Sequence, residues 1–153
     1  MDKLKVLFLC TGNSARSQMA EALLRKHAGD RFDVYSAGLE PKGIHPYTRR
    51  VMQEIGIDLG GQRSKHLSEY MGKLHFEYLI TVCGNAEREC PTFPGADQRQ
   101  HWPFEDPAAI EGTEEQKLAA FRAVRDQIDR RVRAWLAEQG ISVWTVEKNG
   151  RDA

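Results

Sequence analysis

The sequence has no surplus of either charge: 22 lysines and arginines stand against 22 aspartates and glutamates in 153 residues. Nothing global would draw such a chain to nucleic acid or to an anionic membrane, so any anion selectivity must be local. A run of about 18 apolar residues, the length that spans a bilayer, is also missing. Met1-Asp2-Lys3-Leu4-Lys5 leads into an apolar stretch without the h-region of a signal peptide. The expectation is a cytosolic protein with no membrane segment and no nucleic-acid partner. Cysteine is scarce, and the count of three is odd. In a reducing compartment three thiols are no static disulfide framework, which directs attention to redox or catalytic use. Linkers, repeats and low-complexity stretches are absent as well. This length suits one domain whose core needs no disulfide staples. We expect that domain over residues 1–140, a tail over 141–153, and a monomer.

What is present alternates between strand and helix patterns, which predicts an α/β fold with a parallel sheet covered on both faces. Lys5-Val6-Leu7-Phe8-Leu9 reads as a buried strand. A helix from about Ser17 to Ala28 places Ala20, Leu23, Leu24 and Ala28 on one face and closes at Gly29. A second strand follows over 33–38. Pro46 opens a helix with Tyr47, Val51, Met52 and Ile55 in one stripe, ended by Gly56. Residues 58–71 are turn-rich. Strands are expected over 76–82 and, short, near 98–102. Thr113 and Gln116 form a capping box for a long helix to about Gln139, with Phe121, Val124, Ile128, Val132, Trp135 and Leu136 facing the core. Gly140 stops it, and Trp144 in the tail either packs or frays.

The first chemical signal is Cys10-Thr11-Gly12-Asn13-Ser14-Ala15-Arg16-Ser17. A cysteine at a strand end, an arginine six residues on and small polar residues between them describe an oxyanion loop with a nucleophile at its base. Backbone N–H groups freed by Gly12 and Ala15, the helix N-terminus and Arg16 would hold a tetrahedral anion. The same field should depress the Cys10 thiol below its free value of about 8.5. A buried structural cysteine beside a capping loop is the plain alternative. Cys83 likewise follows a strand directly, at the edge where doubly wound sheets collect their chemistry, so a meeting of the two sulfurs is plausible. Cys90 lies seven residues further, before Pro91. Bridging 83 to 90 would force the intervening turn or two of helix to rearrange, because disulfide Cα atoms come within about 7 Å. Zinc held by these cysteines with His75 or His101 lacks a Cys-x2-Cys or His-x3-His pair. No metal or cofactor is implied. In His101-Trp102-Pro103-Phe104-Glu105-Asp106-Pro107-Ala108, Asp106 is a candidate general acid on a loop restrained by Pro107, its carboxyl raised by the apolar Trp102 and Phe104; Glu105 is its neighbouring rival.

Together, Cys10 to Ser17, Ser36-Ala37-Gly38, Gly56-Ile57-Asp58, the Cys83 and Cys90-Pro91 pair and His101-Trp102 with Asp106-Pro107-Ala108 resemble the thioredoxin-coupled arsenate reductases. These share the low-molecular-weight tyrosine phosphatase fold, which implies three layers with a four-stranded parallel sheet flanked by helices. The resemblance spans about residues 4 to 139, and the three-cysteine arrangement is its specific part. It implies that Cys10 attacks arsenate, that Asp106 protonates the departing hydroxide, and that Cys83 resolves to a Cys10–Cys83 disulfide as arsenite leaves. Cys90 would then form a Cys83–Cys90 disulfide reducible by thioredoxin. Ser17 would bond the Cys10 sulfur and Asn13 would hold the loop; a simple N-cap is the alternative for either. Some relatives bind a monovalent cation through residues matching Asn13, Glu21, Ser36 and an acidic residue where this chain has Lys65. The expectation here is a lysine that pairs with Glu21 or a nearby acceptor in place of the metal.

Two other readings use the same residues. A tyrosine phosphatase would employ Cys10, Arg16 and Asp106 with water in place of Cys83. Against it, Ala108 and Ala109 stand where phosphatases of this fold resemble one another in carrying tyrosines, and Thr11 and Ala15 are too small to grip an aromatic group. A thiol redox sensor would react once and stop.

Overall fold

The computed structural model describes residues 3–90 and 95–141. Four strands, β1 (Leu4–Cys10), β2 (Phe32–Gly38), β3 (Phe76–Thr81) and β4 (Ala96–His101), form one sheet in the order β2-β1-β3-β4. Every pairing is parallel, with Cys10 opposite Gly38 and Leu9 opposite Thr81. The helices are α1 (Arg16–Ala28), α2 (Pro46–Gln53), α3 (Gly84–Glu89) and α4 (Glu114–Glu138), with short 3-10 turns at Leu67–Glu69 and Pro107–Ala109.

The apolar runs explain these positions. Val6, Leu7, Phe8 and Leu9 are fully buried, as a strand covered on both faces requires. α1 buries Met19, Ala20, Leu23, Leu24 and Ala28 and packs on β1, β2 and α4. α4 starts at the capping box of Thr113 and Gln116 and buries the six expected residues, with Leu118 and Arg125 in addition. Its Trp135 reaches across the sheet to Phe32, Tyr78 and Trp102, at ring-centroid distances of 5.4, 5.0 and 5.9 Å. Gly140 at φ 76° ends α4, letting the Ile141 N–H donate to Leu136 O. Gly29 differs from Gly140: it follows α1 at φ −64°, in right-handed geometry.

β4 runs from Ala96 to His101 instead of 98 to 102, and its largely exposed residues mark it as an edge. Pro91 and the expected packing of Trp144 lie outside the described residues. The order β2-β1-β3-β4 reverses direction between β1 and β3, which puts a crevice at the carboxyl ends of those two strands. Among the described residues, no helix is long and apolar enough to cross a membrane.

Candidate active site

Cys10 ends β1 and Arg16 begins α1, so residues 11–15 must turn within five positions. Outer chain braces that turn through its carbonyls. The N–H groups of Leu39, Glu40, Lys42 and His45 donate to the oxygens of Cys10, Thr11, Gly12 and Ser14 at 2.8 to 3.2 Å. Gly38 fits beneath the turn because it has no Cβ; one would stand 2.7 Å from Thr11 O and 3.0 Å from Asn13 N. Asn13 occupies the left-handed region at φ 49°, a geometry that asparagine tolerates better than most residues. Its buried side chain fixes the conformation, with Nδ2 donating to Ser17 Oγ at 2.8 Å and Ser36 Oγ at 3.0 Å and Oδ1 accepting from Lys65 N at 2.9 Å.

These bonds set the direction of a polar chain. Ser17 Oγ accepts from Asn13 and lies 2.9 Å from the Cys10 sulfur, to which its proton is available once that sulfur is a thiolate, and the Asn13 N–H reaches the same sulfur at 3.2 Å. On the other side, Ser36 donates to Glu21 Oε1 at 2.6 Å. The cysteine is thereby linked through three buried side chains to a buried carboxylate. Arg25 makes the ion pair with Glu21. Lys65 is buried too, but its ammonium donates to Arg63 O at 2.7 Å, so the nearby acceptor takes it and not Glu21. Burial pushes the Lys65 pKa down, opposed by the Glu21 charge. Asn13, Ser36 and Glu21 thus already face protonated donors, and two cationic side chains occupy the surroundings. The set does not fit a bound monovalent cation.

Arg16 donates to Phe104 O at 3.0 Å and lies 3.8 Å from the Asp106 carboxylate. This joins the loop to the segment after β4. Asp106 accepts from Ala108 N at 3.0 Å and lines the same cavity as Cys10, whereas the exposed Glu105 does not. The expected apolar wall around Asp106 is only half supplied. Trp102 turns into the core against Phe8 and Trp135, while Phe104 stays half-buried next to Arg16.

Cys83 lies just beyond β3 and is the N-cap of α3, its sulfur accepting from Ala86 N at 3.3 Å. Thr11 Oγ1 is 3.4 Å from that sulfur and accepts from Asn85 Nδ2 at 2.8 Å, which leaves the threonine proton free for Cys83. Cys10 and Cys83 open on one cavity of about 370 Å³, floored by the loop and walled by Arg16, Asp106 and Ala108. Cys90 stands apart at the C-cap of α3, 7% exposed. Burial pushes its thiol pKa up, while the Arg99 guanidinium acts the other way. None of the three cysteines is joined in a disulfide. Among the described residues the group able to share a metal ion is His75, Glu77 and Asp97, which contains no cysteine. His101 instead bonds Thr81 Oγ1 at 2.8 Å.

The structure thus gathers Cys10, Thr11, Gly12, Ser14, Ala15, Arg16, Cys83 and Asp106 around one space, with Asn13 and Ser17 behind the sulfur. Cys90 is held back. Lys42 and Asn85 also line the cavity, and neither carries a motif that sequence reasoning could have used.

Residues 5–143 match the family described as low molecular weight phosphotyrosine protein phosphatase. The chain is 46% identical over 140 residues to an arsenate reductase of Halalkalibacterium halodurans, covering 92% of this chain and 99% of that protein. Among solved structures, an arsenate reductase in its phosphate-binding state matches with a TM-score of 0.75 at 33% identity, over 88% of this chain and 98% of that one. A thioredoxin-dependent arsenate reductase of Corynebacterium glutamicum matches with a TM-score of 0.64 at 29% identity, over 89% of this chain and 61% of that one.

Proposed function

The chain belongs to the low molecular weight phosphotyrosine protein phosphatase family, among its arsenate reductases, and from that premise we propose that it reduces arsenate to arsenite by a relay of Cys10, Cys83 and Cys90. The observation that carries this reading is the opening of two cysteines on one cavity floored by the oxyanion loop, with a third waiting at the far end of α3. A phosphatase needs only the first.

Arsenate would lie on the loop N–H groups and the Arg16 guanidinium. The Cys10 thiolate attacks arsenic, and hydroxide departs as water with a proton from Asp106, leaving a Cys10–S–As bond. The Asn13 N–H and the Ser17 hydroxyl stand within hydrogen-bond distance of that sulfur and hold it in place for the attack. Cys83, helped by the Thr11 hydroxyl, next attacks the Cys10 sulfur. The S–As electron pair passes to arsenic, As(V) becomes As(III), arsenite leaves, and a Cys10–Cys83 disulfide forms. Cys90 attacks Cys83, frees the Cys10 thiolate and leaves Cys83–Cys90. A dithiol protein of the thioredoxin class supplies the two electrons that reset the chain, in keeping with the thioredoxin dependence of the C. glutamicum relative. Residues 1–140 would carry this chemistry as one monomeric domain in the cytosol.

The test is NADPH oxidation by the purified protein with thioredoxin and thioredoxin reductase. Saturable, arsenate-dependent turnover is expected. No turnover, together with brisk hydrolysis of an aryl phosphate, would transfer the site to phosphatase chemistry. Potassium should change the rate little relative to sodium at equal ionic strength, because Lys65 and Arg25 already supply the positive charge around Glu21. Activation of several-fold by potassium would contradict that assignment.

A further inference from the structure

Lys42 lies on the rim of the catalytic cavity although it is 26 residues beyond Arg16 in sequence and part of no loop motif. It is tied to the oxyanion loop in two ways. Its backbone N–H donates to Gly12 O at 2.9 Å. Its stem runs along the open face of Gly12, with Cδ and Cγ 3.4 and 3.6 Å from where a Gly12 Cβ would stand. The glycine therefore offers a flat track on which the side chain lies toward the mouth, and the backbone bond fixes where that track begins.

The charges around the cavity give this placement its meaning. Arg16 is the other cation of the lining, but Asp106 stands 3.8 Å from its guanidinium and Phe104 O takes one of its donors. Those two opposite charges largely offset one another for an approaching anion. Among the described residues, no carboxylate lies within ion-pairing reach of the Lys42 ammonium. The chain as a whole carries no net charge that would attract a dianion. The uncompensated charge of the site is thus the lysine.

We propose that Lys42 is the capture residue for the oxyanion: its ammonium draws the dianion to the mouth and bonds an outward oxygen while the loop amides and Arg16 seat the rest. The role rests on the arsenate reading for the identity of the substrate, and on geometry alone for the charge. A lysine suits it better than a second fixed guanidinium, because a point charge on a flexible stem can accompany the anion inward. Charge placed at a cleft mouth raises capture through the local field, and salt weakens the effect.

The experiment compares the full chain with Lys42→Gln, Lys42→Glu and Lys42→Arg in the reduced state. Titration calorimetry with inorganic phosphate reads binding without turnover, and thioredoxin-linked kinetics with arsenate read KM and kcat separately. For Lys42→Gln, phosphate affinity should fall about tenfold, equivalent to about 1.4 kcal/mol. The KM for arsenate should rise in proportion, with kcat nearly unchanged. Lys42→Glu should be weaker still, Lys42→Arg should recover most of the affinity, and the salt dependence of kcat/KM should flatten in the glutamine variant. Unchanged phosphate affinity in Lys42→Gln, or a loss confined to kcat, would overturn the assignment. If no variant and no wild-type protein turns arsenate over while phosphate affinity still falls, the reduction reading fails and Lys42 keeps its role as the anion's capture residue.

Discussion

Cys83→Ser should abolish thioredoxin-linked arsenate reduction, by at least about a thousandfold, while anion binding and slow aryl phosphate hydrolysis survive. A serine oxygen cannot form the disulfide through which the electron pair reaches arsenic. The Cys10 adduct would then revert by hydrolysis with its oxidation state unchanged. Geometry makes the substitution clean: Cys83 reaches the cavity from α3 and forms no part of the 10–16 loop, so the anion seat remains. Serine also caps helices well, so α3 should keep its start. Cys90→Ser should behave differently. One arsenite per chain is released, then turnover stops with a Cys10–Cys83 bond that mass spectrometry of alkylated, non-reduced peptides would identify. Wild-type rates in either variant would end the three-thiol scheme.

Arg16→Lys should lower kcat/KM by about a hundred- to a thousandfold, the usual effect of losing a preorganised oxyanion donor. The guanidinium has enough N–H groups to bond Phe104 O at 3.0 Å, face Asp106 and still present donors to an anion. An ammonium is a single point with a shorter reach. It would either hold the Phe104 carbonyl or serve the anion, and the segment bearing Asp106 would lose its tie to the loop. Steady-state kinetics with arsenate check the size of the effect. A drop below about threefold would show that the loop amides suffice.

The strands and long helices were legible because their apolar residues repeat at a period that only one packing satisfies. Val6 to Leu9 could only be buried, and the stripe from Phe121 to Leu136 had to face a core. Cys10 and Cys83 were legible because each follows such a strand. Polar burial was less so. Gln18 lies outside the apolar stripe of its helix and Glu21 was marked only by resemblance, yet both are buried, and only the folded loop reveals that they serve Asn13 and Ser36. Lys65 could be placed near Glu21 by resemblance, but the claim of Arg25 on that carboxylate depends on how α1 packs on β2, where the same guanidinium also reaches Val34 O. Trp102 was misread as an active-site wall because a lone aromatic beside a loop carries no sign of which way it turns. Three rings, those of Phe8, Trp102 and Trp135, settle it inward.

The six residues of α3 have a further consequence, best put in electrical terms. While the helix stands, seven steps of about 1.5 Å hold Cys83 and Cys90 about 10 Å apart, and a disulfide tolerates no more than about 7 Å between Cα atoms. The helix is insulation between two contacts of a circuit. A stray oxidant that strikes Cys83 cannot discharge into Cys90, which is shielded beneath protein at the far end of the helix. The pair conducts only after the helix yields, and drawing Cys83 away from the Ala86 N–H that it caps removes one of its supports. Between substrates, the standing helix keeps the Cys90 electrons in reserve.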